Sequence, residues 1–256
     1  MFGWGDGGFK GMIQILPLTG ISEVLPGDEL IALLREALQR QAVDIREDDI
    51  LVVTQKIVSK AEGRFVDLGT VTPCAEAVRL AETTQKDPRL VQVVLDESES
   101  IVRAAPGVLI ARHRLGHVMA NAGVDQSNVG PEKSEYALLL PINPDGTAAR
   151  LSSALGIPVV ISDSFGRPWR VGVTSVAIGA AGLPALQDRR GEVDRDGRVL
   201  KVTQVAVGDL LATAASLATG EGAEGIPAAL VRGCRFVGEA RPAAHLVRPA
   251  DQDLFR

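Results

Sequence analysis

Apolar residues change their spacing several times along the chain, and each change predicts an element. Leu30, Ile31, Leu33, Leu34, Ala37 and Leu38 recur at helical spacing, with Asp28 near the start of the helix they predict. Residues 50–54 (ILVVT) form a continuous β-branched run, which reads as a buried strand. Residues 13–18 predict a strand stopped by Pro17. Thr72-Pro73 and Asp87-Pro88 each look like a cap followed by proline at the first helical position, predicting helices over 73–84 and 88–98. Residues 108–114 and 117–121 read as a hairpin around Leu115-Gly116, and 136–140 as a strand. A helix over 145–155 precedes a strand over 158–162 that delivers Asp163. Asp194 to Gly197 reads as a turn before a strand over 199–205. A helix over 209–219 follows, with Gly220 just past its end, then a glycine-rich acidic loop over 220–227 and a last strand over 229–232. Strands and helices alternate without a clean βαβ repeat, so the fold class read here is α+β, with a mixed, non-Rossmann architecture.

Composition narrows the function classes. The 256 residues are 46% hydrophobic and 23% charged, with 27 Lys plus Arg against 32 Asp plus Glu, a net charge of −5. That balance argues against a general nucleic-acid binder, which needs cations to displace phosphate counterions. Aromatics at 4% argue against a base-stacking surface. No apolar run approaches the roughly 20 residues that span a bilayer, so no membrane partner is expected. Residues 1–11 are glycine-rich with Phe2, Trp4 and Phe9 but lack a basic region followed by an apolar one. They read as a flexible leader before a domain over 12–256, with Met12 an alternative start. Cys74 and Cys234 read as free thiols, which places the chain in the cytoplasm. His113 and His117 lie on the expected hairpin and read as packed or solvated. Neither an HExxH nor a Walker sequence is present, and Gly179-Ala180-Ala181-Gly182 reads as close backbone packing rather than a dinucleotide fingerprint.

Three loops carry a carboxylate beside small residues: Asp125, Asp163 and Glu221. Hard oxygen donors of this kind suit Mg²⁺ or Mn²⁺, and Ser164 and the Asn128 amide add neutral oxygens. The same acids also suit plainer roles, Asp163 as a turn cap and Glu221 as a solvated loop residue. Lys56 and Lys60 follow a buried strand, where an ammonium can meet phosphates, although a solvated face fits them as well. Arg167 and Arg170 flank Trp169; guanidinium forks match phosphate or carboxylate, or an ordinary surface ion pair. Ser164 lacks a G-x-S-x-G setting and an evident histidine, which argues against a nucleophilic serine.

Taken in order, several motifs resemble the coenzyme F-420-0:L-glutamate ligase family (coenzyme F-420 gamma-glutamyl ligases). They are Leu16-Pro17-Leu18-Thr19-Gly20 with Pro26-Gly27-Asp28, and the block over 52–64 (VVTQKIVSKAEGR). The blocks over 121–129 (NAGVDQSNV), 139–141 with Asp145-Gly146, 162–167 (SDSFGR) and 220–227 (GEGAEGIP) complete them. The resemblance covers nearly the whole chain and implies GTP-dependent addition of L-glutamate to the deazaflavin precursor coenzyme F-420-0. GDP and phosphate would be released through an acyl phosphate, and some members add a further glutamate. It also implies two divalent cations, usually a potassium ion, and an intertwined homodimer. Asp125 and Asp163 match the family's first divalent-metal site, and Ser164 and Glu221 the second. Asp125, Asp163 and Lys60 are the catalytic candidates. GTP contacts map to Ile21, Ser22, Glu23, Val24, Gln55, Lys56, Lys60 and Asn128. They continue over Thr219, Gly220, Glu221, Gly222, Ala223, Glu224, Gly225 and Ile226. Arg167 and Arg170 are added as candidates for substrate phosphate or carboxylate, with Trp169 beside them for the deazaflavin ring. Two alternatives stay open: a GTP-dependent ligase for another acceptor or amino acid, and a non-catalytic nucleotide- or metal-binding protein.

Overall fold

A computed structural model describes residues 12–130 and 135–253. The leader expected over 1–11 lies outside the described residues. In chain order, β1 (Gln14–Pro17) leads to α1 (Leu30–Arg40), and β2 (Asp49–Thr54) runs directly into α2 (Gln55–Ala61). Then come β3 (Phe65–Asp67), α3 (Ala75–Thr84), α4 (Pro88–Asp96), β4 (Ser98–Ala105), β5 (Val108–His113), β6 (Val118–Ala120) and β7 (Tyr136–Leu138). The second half holds α5 (Pro144–Leu155), β8 (Val159–Arg167), β9 (Arg170–Ala181), β10 (Leu186–Asp188), β11 (Gln204–Ala206), α6 (Val207–Thr219) and β12 (Ala228–Arg232).

The frame is a five-stranded mixed sheet in the order β1-β12-β2-β8-β9. Only the β2–β8 pair is parallel. Side chains alternate across a strand, so a sheet covered on both faces needs apolar residues at every position. Residues 50–53 of β2 meet that condition. Leu51 and Val53 join one core with Leu34, Ile57 and Leu151, from α1, α2 and α5. Ile50 and Val52 join another with Val207, Leu211 and Ala215 of α6. β8 and β12 divide in the same way, with Ile161 and Leu230 on the first face and Val160 and Val231 on the second. The register of β12 on β2 is fixed by a fork: Arg232 Nε and Nη2 donate to Asp49 Oδ1 and Oδ2 at 2.6 and 2.8 Å, both residues being buried.

A third apolar cluster lies outside this sheet, where α3 and α4 pack with the antiparallel β4-β5-β6 meander and β7. Its edge is held by Glu97, just past α4. Glu97 is buried and accepts from Arg64 at 2.9 Å, pairs with Arg114, and lies 3.4 Å from His113 Nε2. Leu115 N donates to His113 Nδ1 at 2.9 Å, so Nε2 carries the proton and points at Glu97.

Helices and mixed sheets together give the expected α+β class. Several boundaries differ from expectation. α3 starts at Ala75 rather than Pro73, because the Cys74 amide donates to Gln92 and its sulfur accepts from Ala77 N, making Cys74 the cap. α4 stops at Asp96, because Glu97 turns into the cation cluster and Ser98 begins β4, a strand the sequence did not predict. α2 was likewise not predicted; at seven residues it is too short to display a period. β8 does not end at 162 but continues to Arg167, pairing with β9, a strand the sequence did not predict because Gly and Ala fill much of it and carry little strand propensity. The strand expected over 199–205 shrinks to β11, because Val199 and Val202 are 57% and 84% exposed and have no apolar layer to enter. Gly179 does mark close packing, since a Cβ there would lie 2.5 Å from the Pro144 carbonyl.

Candidate functional site

Because β2 and β8 are parallel, their C-terminal ends open on the same side of the sheet. β2 there delivers Thr54, then Gln55, Lys56 and Lys60 on α2. β8 delivers Asp163 and Ser164 on a strand rather than in the expected loop. The loop between α6 and β12 returns to the same end, pinned by Thr54 N donating to the Pro227 carbonyl at 2.8 Å. The 121–129 loop approaches from the side, anchored to β7 by paired backbone bonds between Asp125 and Leu138.

These segments enclose a cavity of about 890 Å³. Its lining holds Asp125, Asp163, Ser164 and Glu221, together with Ile21, Ser22, Glu23, Val24, Gln55, Lys56, Lys60 and Asn128, and the stretch from Thr219 to Ile226. Motifs from Ile21 to Ile226 are thus brought to one place. Arg167 and Arg170 are not among the lining residues; with Trp169 they sit at the tip of the β8–β9 hairpin, where Arg167 Nη2 donates to the Val171 carbonyl at 3.2 Å. Ser127, Ser162, Ser175, Met119 and Ala120 also line the cavity. Ser175 stands opposite Ser164 in the β8–β9 register, a relation visible only once the strands pair.

Charges in the cavity are arranged in pairs. Lys56 Nζ donates to Asp125 Oδ2 at 2.6 Å and to the Ser127 carbonyl and hydroxyl at 3.0 Å each. Ser127 N and Oγ in turn donate to Asp125 Oδ1 and Oδ2, both at 2.8 Å. Burial pushes the Asp125 carboxyl up, but the Lys56 ammonium and the Ser127 donors outweigh it and leave it below its ordinary range. Asp163 goes the other way: burial and the neighbouring Asp125 charge push it up to about 7, against the opposing pull of the Ser164 amide, Lys56 and Gln55. Two carboxylates thus crowd one wall of the cavity. Lys60, its side chain only 7% exposed, pairs with the exposed Glu23. Ser164 Oγ lies 2.7 and 2.6 Å from the two carboxylate oxygens of Glu221, although a hydroxyl has one proton to donate.

Two loops owe their shape to backbone conformation. Asn128 adopts φ +53, and its side-chain amide donates to the Gly222 carbonyl at 3.4 Å, bridging the loops. Gly220 has φ +69, and a Cβ there would fall 2.2 Å from the Glu224 carboxylate, which curls back to accept from Gly222 N at 2.8 Å. Glu221 is thereby presented to Ser164.

The donor set suits a hard divalent cation. It consists of carboxylate and hydroxyl oxygens, and the crowding of Asp163 by Asp125 is the repulsion a cation relieves. Among the described residues no three of His, Cys, Asp and Glu converge on one point; Ser164 and Glu221 form one oxygen pair in contact, and Asp125 and Asp163 both line the cavity.

Comparison with known proteins agrees with this set of motifs. Residues 20–233 match the family described as F420-0:Gamma-glutamyl ligase. A coenzyme F420:L-glutamate ligase of Methanopyrus kandleri is 45% identical over 255 residues, covering 95% of this chain and 98% of that one. Its counterpart in Natronomonas pharaonis is 45% identical over 95% of each chain. The Methanothermobacter thermautotrophicus ligase is 42% identical over 95% of this chain and 99% of its own. With the match running through every segment that lines the cavity up to Pro227, the chain belongs to the F420-0:gamma-glutamyl ligase family.

Proposed function

We propose that this protein joins L-glutamate to coenzyme F420-0 in a GTP-dependent reaction, with the 890 Å³ cavity as the nucleotide and cation site. The observation that carries the reading is the meeting of two lysines and three separated acids at the end of a parallel strand pair in a chain of this family. Forming an amide from a carboxylate and an amine requires an activated carboxylate. In the proposed route a carboxylate oxygen of the acceptor attacks the γ-phosphorus, the bond to GDP breaks, and an acyl phosphate results. The glutamate amine then attacks the acyl carbon, phosphate leaves, and the amine gives up a proton.

Asp125 and Asp163 would hold one divalent cation, Mg²⁺ or Mn²⁺, and Ser164 with Glu221 a second. Bound there, the cations neutralise charge on the phosphates during transfer. The chain's own residues do the rest. Lys60 and Lys56 face phosphate, and Asn128 and the 219–226 loop shape the nucleotide seat. A potassium ion, a second glutamate addition and a homodimer follow from the family resemblance and belong to the same proposal.

The test is turnover of GTP to GDP with coenzyme F420-0, L-glutamate and Mg²⁺ or Mn²⁺, with the product read by mass. A gain of one or two glutamates is expected. GDP release without a glutamylated product would point to another acceptor, and nucleotide binding without turnover to a binding protein.

A further inference from the structure

We infer that Lys56 is an internal counter-ion that a divalent cation must displace from Asp125, and that the displaced ammonium passes to the nucleotide phosphates, coupling the binding of cation and nucleotide. The inference rests on the cavity reading given above.

The Lys56 ammonium has three protons and three acceptors: Asp125 Oδ2 at 2.6 Å and the Ser127 carbonyl and hydroxyl at 3.0 Å. Both oxygens of Asp125 are engaged in the same network, Oδ1 by Ser127 N and Oδ2 by Ser127 Oγ and Lys56. A divalent ion added at Oδ2 would stand beside the ammonium, a like-charge contact. The two cations therefore compete for one carboxylate.

Lys56 is well placed to leave. It is the second residue of α2, its flexible stem lies on the cavity wall, and its side chain is 23% exposed. Once released, an ammonium in a partly buried cavity is most stable beside added negative charge, which the phosphates supply. Lys60 repeats the pattern with Glu23, so each cavity lysine is neutralised by an acid of the chain itself. Linkage makes the effect reciprocal: whatever phosphate gains from the freed lysine, the cation gains in affinity for Asp125.

The experiment measures Mn²⁺ binding to the full chain by calorimetry, without nucleotide and then with saturating GDP. It uses wild type, Lys56→Met, Lys56→Gln, Lys56→Arg and Asp125→Asn, each checked for fold by circular dichroism. Without nucleotide, Lys56→Met and Lys56→Gln should bind Mn²⁺ at least about fivefold more tightly than wild type, the lower end of a typical coupling. Lys56→Arg, which keeps the competing charge, should stay near wild type. The factor by which GDP strengthens Mn²⁺ binding should shrink in the Met and Gln variants. Unchanged or weaker Mn²⁺ affinity in both overturns the inference. If Asp125→Asn then still loses Mn²⁺ binding, the cavity reading survives and only the counter-ion role falls. If Asp125→Asn binds Mn²⁺ as wild type does, both fall.

Discussion

Asp163 lies two residues past Ile161, the last fully buried apolar residue of β8, and its neighbour Ser164 faces Glu221. Asp163→Asn keeps the shape but removes the charge and turns one acceptor oxygen into a donor. Metal-dependent GTP turnover should fall by at least about a hundredfold, the scale seen when one electrostatic stabiliser is lost. The circular-dichroism spectrum should not change, and full activity would remove Asp163 from the site. Gly179 tests packing rather than chemistry. Adding a methyl against the Pro144 carbonyl forces β9 and α5 apart, so Gly179→Ala should cost about 1–3 kcal/mol in urea unfolding. Gly182→Ala would add strain at φ +77 as well as a contact with Pro158, but outside the cavity.

At the scale of elements, the Asp49–Arg232 fork decides how β12 sits on β2. Asp49→Ala leaves a buried guanidinium without its carboxylate and should destabilise the chain by about 3–5 kcal/mol in chemical denaturation. Replacing both partners, as Asp49→Leu with Arg232→Met, should recover most of that loss. The Glu97 cluster joins the end of α4 to the hairpin of β5 and β6. Burial pushes the Glu97 carboxyl up, but His113, Arg114 and Arg64 overcome it and hold it at about 2, against 4.5 ordinarily. A carboxyl lowered by folding stabilises the native state above the ordinary value. That contribution is lost as pH falls from 4.5 towards 2. The melting temperature of wild type should therefore drop more steeply across that window than that of Glu97→Gln.

The same scale shows what the sequence could reveal. The apolar run of β2 and the spacing in α1 carry their partners' requirements in local pattern, and both elements appear where that pattern put them. The Asp87-Pro88 start of α4 also holds, with Asp87 Oδ1 accepting from Arg89 N at 2.8 Å. β9, much of it Gly, Ala, Ser and Thr, carries no such pattern over its length. Gly172, Thr174 and Ser175 become strand only through pairing with β8, a long-range contact that no window of sequence contains. The metal and nucleotide candidates were legible as motifs and line one cavity, whereas Arg167 and Arg170, chosen for their guanidinium chemistry alone, lie outside its lining. The Lys56–Asp125 bond was not legible, because its partners lie 69 residues apart and meet only when α2 and the 121–129 loop do.

For the whole molecule, the open side of β9 bears on assembly. β9 is an outer strand of the central sheet, and Val171 and Val173 are 98% and 55% exposed along it. Among the described residues β9 has one strand neighbour, and exposed β-branched side chains on an outer strand favour association with another chain. Sedimentation should give twice the 27.0 kDa chain mass, and Val171→Lys with Val173→Lys should shift the species towards one chain. A wild-type mass of a single chain would remove the homodimer from the proposal.

Strand order also sets when this protein can fold. β12, the last strand made, lies between β1, the first, and β2, so neither has its β12 neighbour until residue 232 exists. On the ribosome, β1 must wait for the synthesis of about two hundred further residues, and the apolar face of β2 has no finished layer to enter. The third cluster is different. Its helices and meander fall mainly within residues 66–139, short enough in span to gather early. Synthesis therefore separates a region that can organise early from a central sheet that closes only once residues 228–232 have been made.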